Sequence, residues 1–308
     1  MKIFYLRNET TNLGDAIQSL AARYLILSSG HEPIPIVKEE LMKCEENQPG
    51  PLSTEKYLIN GWFTKHEFNT LIKRIGGNTN GIIAGVHISD WYDEKHTNEA
   101  INQSNLELKI GCRDSATFKQ IINIHSKSWI SGCLTTTLGI TFKPNIITKS
   151  DNKCKALFVD IKSCRCLSKK IESHNFTHSN GSIQTEAKAE RSLNLFSNYK
   201  FIITRRLHCA LPSCSFGKLV LFFGNIKDYR IEPILLSGST IRRYPSYRNE
   251  KLIVLRVLHL MQRKLSNLSR CRSVSKWIYL SLKGKYATPT ANKILYNEII
   301  NQILCLEE

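Results

Sequence analysis

Short apolar runs alternate with helix-spaced apolar positions along most of the chain. Residues 2–6 read as a strand. After a polar loop, residues 15–27 place Ile17, Leu20, Ala21, Tyr24 and Leu25 on one face of a helix. Apolar runs at 34–37, 57–60, 81–88 and 106–111 predict further strands, and 65–75 and 115–124 predict helices between them. Parallel strands need a crossover connection, so this rhythm predicts a mainly parallel sheet covered on both faces.

Residues 143–155, with Pro144, Asn145, Ser150, Asp151 and Asn152, break the pattern and suit an interdomain linker. The rhythm then restarts, with strands at 156–161, 175–177, 200–204 and 219–223 and helices at 167–173, 185–198 and 208–216. The expected fold is α/β, with two Rossmann-like domains (1–145 and 155–240) facing a cleft. A third segment, 241–308, is expected to form a basic helical C-terminal extension.

Composition adds a partner class. Of 308 residues, 42% are hydrophobic and 22% charged, ordinary globular usage that argues against a disordered or fibrous chain. Lys and Arg number 43 against 26 acids, a formal net charge of +17, so an anionic partner is expected. Much of the excess lies in 241–286, which holds twelve basic residues and one acid, Glu250. That segment reads equally as a solvated helical tail or as a basic face for anionic lipid or a lipid-linked phosphate acceptor. Nucleic acid is the weaker option, because no nucleic-acid module is visible.

Residues 1–6 are followed at once by Arg7, Asn8 and Glu9, which does not fit a secretory signal. The longest apolar stretch, 252–261, is interrupted by Arg256 and His259. The expected location is the cytoplasm, with the inner face of the membrane open as a contact surface through 241–286. Ten cysteines include no CxxC pair, and Cys154, Cys164 and Cys166 fit no common zinc spacing. Reduced, incidental thiols are expected, with no metal and no cofactor.

Three strand-to-helix corners carry candidate chemistry. In Asn12-Leu13-Gly14-Asp15, Gly14 permits close backbone approach, and Asp15 either contacts a ligand or merely caps the helix. The three-glycine spacing of a dinucleotide site is missing. In Gly111-Cys112-Arg113-Asp114-Ser115, Arg113 beside a helix start suits a phosphate or carboxylate, or else forms a surface pair with an acid. In Thr204-Arg205-Arg206-Leu207-His208, two cations and an imidazole emerge together at a strand's end, able to hold an anion and move a proton. His178 follows another predicted strand and is either a cleft residue or a loop histidine. Trp62, Phe63 and Trp91 can stack on sugar rings or fill a core.

Taken in order, Asn12-Leu13-Gly14-Asp15, Asn60-Gly61-Trp62-Phe63, Gly111-Cys112-Arg113-Asp114, Ser131-Gly132-Cys133-Leu134-Thr135, Thr177-His178 and Arg206-Leu207-His208-Cys209-Ala210-Leu211-Pro212 resemble the polysaccharide pyruvyl transferase family, over about residues 1–225. The resemblance implies a two-domain fold similar to GT-B glycosyltransferases. It also implies transfer of the pyruvyl group of phosphoenolpyruvate onto two hydroxyls of a sugar, giving a cyclic ketal and phosphate. Carried over by position, it gives His208 acid–base catalysis, Arg206 donor binding, and Asp15 the acidic position after the N-terminal glycine. Arg113 matches the family's Cys-Arg-Asp motif, and Asn12, Gly14, Arg205 and His178 join the substrate-binding candidates. Arg205 stands where the family more often has a small residue, and 241–308 has no recognised counterpart.

The chemistry agrees with those residue types. Phosphoenolpyruvate carries a carboxylate and a phosphate, which guanidinium groups can hold bidentately. Two other readings stay open: a GT-B-like glycosyltransferase using a nucleotide sugar, and a non-catalytic protein that binds an anion or nucleic acid through its basic segment.

Overall fold

Six strands form a first, wholly parallel sheet in the order β2-β1-β3-β4-β5-β6: β1 (Lys2–Arg7), β2 (Glu32–Val37), β3 (Tyr57–Phe63), β4 (Gly81–Ile88), β5 (Ile110–Cys112) and β6 (Trp129–Ile130). A second parallel sheet has five strands in the order β11-β10-β9-β7-β8: β7 (Ala156–Val159), β8 (Ile171–His174), β9 (Phe201–Thr204), β10 (Leu219–Phe222) and β11 (Thr240–Ile241). The computed structural model describes residues 1–8, 12–43, 52–75, 78, 80–89, 109–122, 125, 127–144, 156–160, 171–174, 182–224, 231–232, 234, 240–241 and 292–305. The basic run after Ile241 and all but the first two residues of the expected linker lie outside them.

Helices between the strands explain why the central strands read as continuous apolar runs. Every residue of β4 is buried, as expected of a strand covered on both faces. The helices are α1 (Leu13–Ser28), α2 (Lys38–Lys43), α3 (Lys65–Ile75), α4 (Ser115–Ile122), α5 (Leu138–Thr141), α6 (Ser182–Ser197), α7 (Leu207–Ser215) and α8 (Lys293–Cys305), with a 3-10 turn at Leu134–Thr137. Helix α3 begins with a capping box, in which Thr64 Oγ1 accepts from Glu67 N–H and Glu67 Oε2 accepts from Thr64 N–H.

Two apolar clusters flank the first sheet. One packs α3 and α4 on it through Leu6, Ile59, Phe63, Phe68, Leu71 and Ile121. The other begins with Ile3, Tyr5 and Leu58, runs through α1, and continues into α6, α7 and the second sheet at Leu157, Ile202 and Val220. Helices α1 and α6 lie in contact. Leu20, Leu25, Leu193 and Phe196 are fully buried in this cluster, and each contributes roughly 1.5–3 kcal/mol of transfer free energy. Polar contacts edge the helix pair: Tyr24 donates to Glu190 Oε1 at 2.6 Å, and Arg23 meets Glu186 at 3.3 Å.

Some expectations change. Helix α1 starts at Leu13, because Asn12 Oδ1 accepts the Gly14 N–H at 2.9 Å, so Asn12 and not Asp15 is the cap. Residues 171–173, expected in a helix, belong to β8, where the ladder with β7 overrides local propensity. The strand expected at 106–111 begins at Ile110 among the described residues. Strands β6 and β11 and helices α2, α5 and α8 carry patterns too short or too mixed to stand out. Within 241–308, α8 returns to the core: Leu295, Ile299 and Ile303 are buried there, and Asn292 N–H donates to Thr136 O. Among the described residues no helix is long and apolar enough to cross a membrane.

Candidate active site where the strand order reverses

In each sheet the chain runs outward from one central strand and then crosses back to its other side. The reversals lie between β1 and β3 and between β7 and β9. At such a point neighbouring crossovers diverge and open a crevice at the carboxyl ends of the strands, where open α/β sheets bind ligands. Asn12–Asp15 follow β1 and Asn60–Phe63 end β3. Asp160 follows β7, and Arg205, Arg206 and His208 follow β9.

At the first reversal, Asn12 is exposed, Gly14 buried and Asp15 half-buried. Burial raises the Asp15 carboxyl above its ordinary value, opposed by the charges of Lys38 and Arg113 and a hydrogen bond with Asn12. Gln18, one turn on, joins the surroundings. Its Nε2 lies 3.4 Å from Asp15 Oδ1, its Oε1 lies 3.5 Å from Arg113 Nη1, and its carbonyl accepts from Asn60 Nδ2 at 3.0 Å.

Arg113 is buried, with only 3% of the residue accessible, so its contact with an acid is not the surface pair that the sequence offered. Its Nε lies 3.8 Å from the fully buried Asp114, whose Oδ2 contacts His87 Nδ1 at 2.8 Å and whose Oδ1 accepts Thr117 N–H at 2.9 Å. Burial alone would raise the Asp114 carboxyl. The hydrogen bonds from His87 and Thr117, with the charges of His87 and Arg113, hold it below the usual carboxylate range. Asp114 also caps α4, whose Ser115 N–H and Oγ both reach Glu232, at 3.0 and 2.6 Å. Burial, with Asp114 nearby, pushes the Cys112 thiol up to about 12, so it is not a ready nucleophile.

At the second reversal Arg205 and Arg206 are exposed. Arg206 is the N-cap residue of α7 in extended conformation, and its N–H donates to Thr204 Oγ1 at 2.9 Å. Its Nε donates to Asp160 Oδ2 at 2.5 Å. Burial pushes the neighbouring Cys209 thiol far above its ordinary value.

The two reversals meet at Gly14. A Cβ built there would collide with His208 Cδ2 and lie 3.0 Å from Cγ, so the imidazole rests directly against the glycine backbone. Thus Asn12, Gly14, Asp15 and His208, separated by nearly two hundred residues, share one corner, with Arg113 behind Asp15. Arg205 and Arg206 flank the same β9–α7 turn. His178 and Trp91 lie outside the described residues. Trp62 is 42% exposed beside Lys38 Nζ, whereas Phe63 is buried in the core. Sequence reasoning missed Asp160, Gln18, Lys38 and Glu232. Only Asp160 carried a usable signal, an acid inside the apolar run expected as the strand 156–161.

The chain is similar to three solved structures. A Listeria monocytogenes protein assigned provisionally as a UDP-N-acetylglucosamine 2-epimerase is 12% identical, with TM-score 0.50, and the match covers 100% of this chain and 97% of that one. The UDP-GlcNAc 2-epimerase of Neisseria meningitidis, bound to UDP-GlcNAc, is 10% identical with TM-score 0.47, covering 99% and 100%. An uncharacterised protein of Klebsiella pneumoniae subsp. pneumoniae NTUH-K2044 is 16% identical with TM-score 0.46, covering 79% and 93%. The likeness to the Listeria protein concerns the fold alone, a GT-B/Rossmann-like α/β architecture. No curated protein matches the chain. The polysaccharide pyruvyl transferase family model matches residues 12–228, from the cap of α1 through the whole β9–α7–β10 unit. That span holds the Asn12–Asp15 turn that follows β1 and the whole reversal between β7 and β9, and the chain belongs to the polysaccharide pyruvyl transferase family.

Proposed function

We propose that this transferase moves the pyruvyl group of phosphoenolpyruvate onto two hydroxyls of a sugar in a cell-surface polysaccharide or its lipid-linked precursor. The product is a cyclic ketal, and phosphate is released. The observation that carries the reading is the packing of His208 against Gly14, since Asp15 adjoins Gly14 and Arg205–Arg206 precede His208 along the chain. We read residues 1–145 and 155–240 as two domains closing on that corner.

The reaction needs three proton movements. The first sugar hydroxyl adds to C2 of phosphoenolpyruvate and loses its proton, while the methylene carbon gains one and becomes a methyl group. The C2–phosphate bond then breaks, leaving an oxocarbenium ion. The second hydroxyl attacks C2 and loses its proton, closing the ketal. His208 serves as the proton carrier at the methylene carbon. Asp15, its carboxyl raised by burial, accepts a hydroxyl proton. Arg206 and Arg205 hold the donor's carboxylate and phosphate. Arg113, buried behind Asp15, acts through that carboxylate and Gln18 and not by direct contact. The basic segment 241–286 supplies the membrane-facing contact of a lipid-linked acceptor, at the inner face of the membrane.

The test is phosphate release from phosphoenolpyruvate in the presence of candidate glycans, with UDP-sugar consumption measured in parallel. His208→Ala is expected to lower turnover by about 10²–10⁴, the usual worth of a general acid–base. Its affinity for phosphoenolpyruvate should stay within about threefold. Full turnover in that variant, or UDP-sugar consumption without phosphate release, rejects the assignment and favours a nucleotide-sugar transferase.

A further inference from the structure

We infer that Asp160 is a positioning residue for the donor site, fixing the Arg206 guanidinium across the second strand-order reversal so that its remaining N–H groups face the His208 corner. The inference rests on the reading of Arg206 as a phosphoenolpyruvate ligand.

Two separate features of Asp160 support it. Its backbone lies in the left-handed region, φ 53°, and it is the only non-glycine residue with positive φ among those described. An L-residue there costs energy that the surroundings must offset, and such residues gather at ligand sites. That conformation turns the chain sharply at the end of β7, directly beside β9, whose Thr204 pairs with Val159. The second feature is the asymmetry of the ion pair. The Asp160 side chain is 4% exposed and the Arg206 side chain 45%. The buried acid is therefore the fixed member and the exposed guanidinium the one being aimed.

The contact uses Arg206 Nε, and the Nη1–Nη2 edge of the planar fork is the one that a second anion can meet end-on. An exposed arginine otherwise samples many rotamers, and ordering it on binding costs affinity. Asp160 removes that cost beforehand.

Positioning and simple charge neutralisation predict opposite signs. If Asp160 only offset the charge of Arg206, removing it would strengthen attraction for a doubly charged donor. If it aims the guanidinium, removal weakens binding. Asp160→Gly removes the carboxylate and suits the left-handed backbone. By calorimetric titration with phosphoenolpyruvate, the full chain carrying this change should show a Kd raised about tenfold. The same change made on top of Arg206→Ala should add nothing, because the two residues act as one unit. Should the glycine variant not fold, Asp160→Asn answers through the sign. The weaker neutral hydrogen bond should raise Kd, and an unchanged or lowered Kd overturns the inference. Equal effects of Asp160→Gly with and without Arg206 overturn it too. Unchanged affinity in Asp160→Gly alone overturns the positioning role and leaves Arg206 as ligand, whereas wild-type protein that does not bind phosphoenolpyruvate rejects both.

Discussion

At the residue scale, Gly14 decides whether the site can assemble. Its backbone conformation is ordinary for a helix, so the backbone itself does not exclude alanine there. What alanine cannot do is share space with His208, whose ring occupies the Cβ position. Gly14→Ala is therefore expected to melt within a few degrees of the wild type while losing tenfold or more of its phosphate-releasing activity. A thermal scan alongside the activity assay checks both halves. The motif running from Asn12 to Asp15 is legible in the amino-acid sequence. The reason for its glycine is not, because the neighbour that forbids a side chain comes from the other sheet.

At the scale of elements, α4 is anchored by a buried acid and not by a surface cap. Asp114 accepts from Thr117 N–H, contacts His87 and lies beside Arg113, all buried. Removing one member leaves its partners uncompensated, and Asp114→Ala is expected to cost about 3–5 kcal/mol at neutral pH. Because the folded-state carboxyl is held below its ordinary value, this contribution is present above the unfolded value near 3.9 and is lost as the pH falls through the lower folded one. Urea denaturation should therefore show a large gap between wild type and variant at pH 7 that narrows as the pH falls below about 4. Elements with long, regular patterns are readable from periodicity. Residues 65–75 and 81–88 match α3 and β4 at both ends. The failure at 171–173 has a tertiary cause, since β8 exists through its pairing with β7, which no local pattern encodes.

At the scale of the whole molecule, α1 and α6 join the two sheets through one apolar cluster. A core residue on α6 should then stabilise both halves together. Leu193→Ala is expected to cost about 2–5 kcal/mol. Its unfolding should remain a single transition, with near-UV and far-UV circular dichroism coinciding. Two separated transitions would mean that the sheets are not thermodynamically coupled through this helix.

The amino-acid sequence by itself determined the alternation of strands and helices, the restart after residues 143–155, and the corners at which Asn12–Asp15, Arg113 and Arg206–His208 stand. All of these depend on periodicity and on residues adjacent along the chain. The tertiary structure alone decided that His208 rests on Gly14, that Arg113 lies buried behind Asp15, and that Asp160 holds Arg206. Those facts come from strand order and from the packing of distant segments, where a contact's energy depends on geometry that no short window of residues contains.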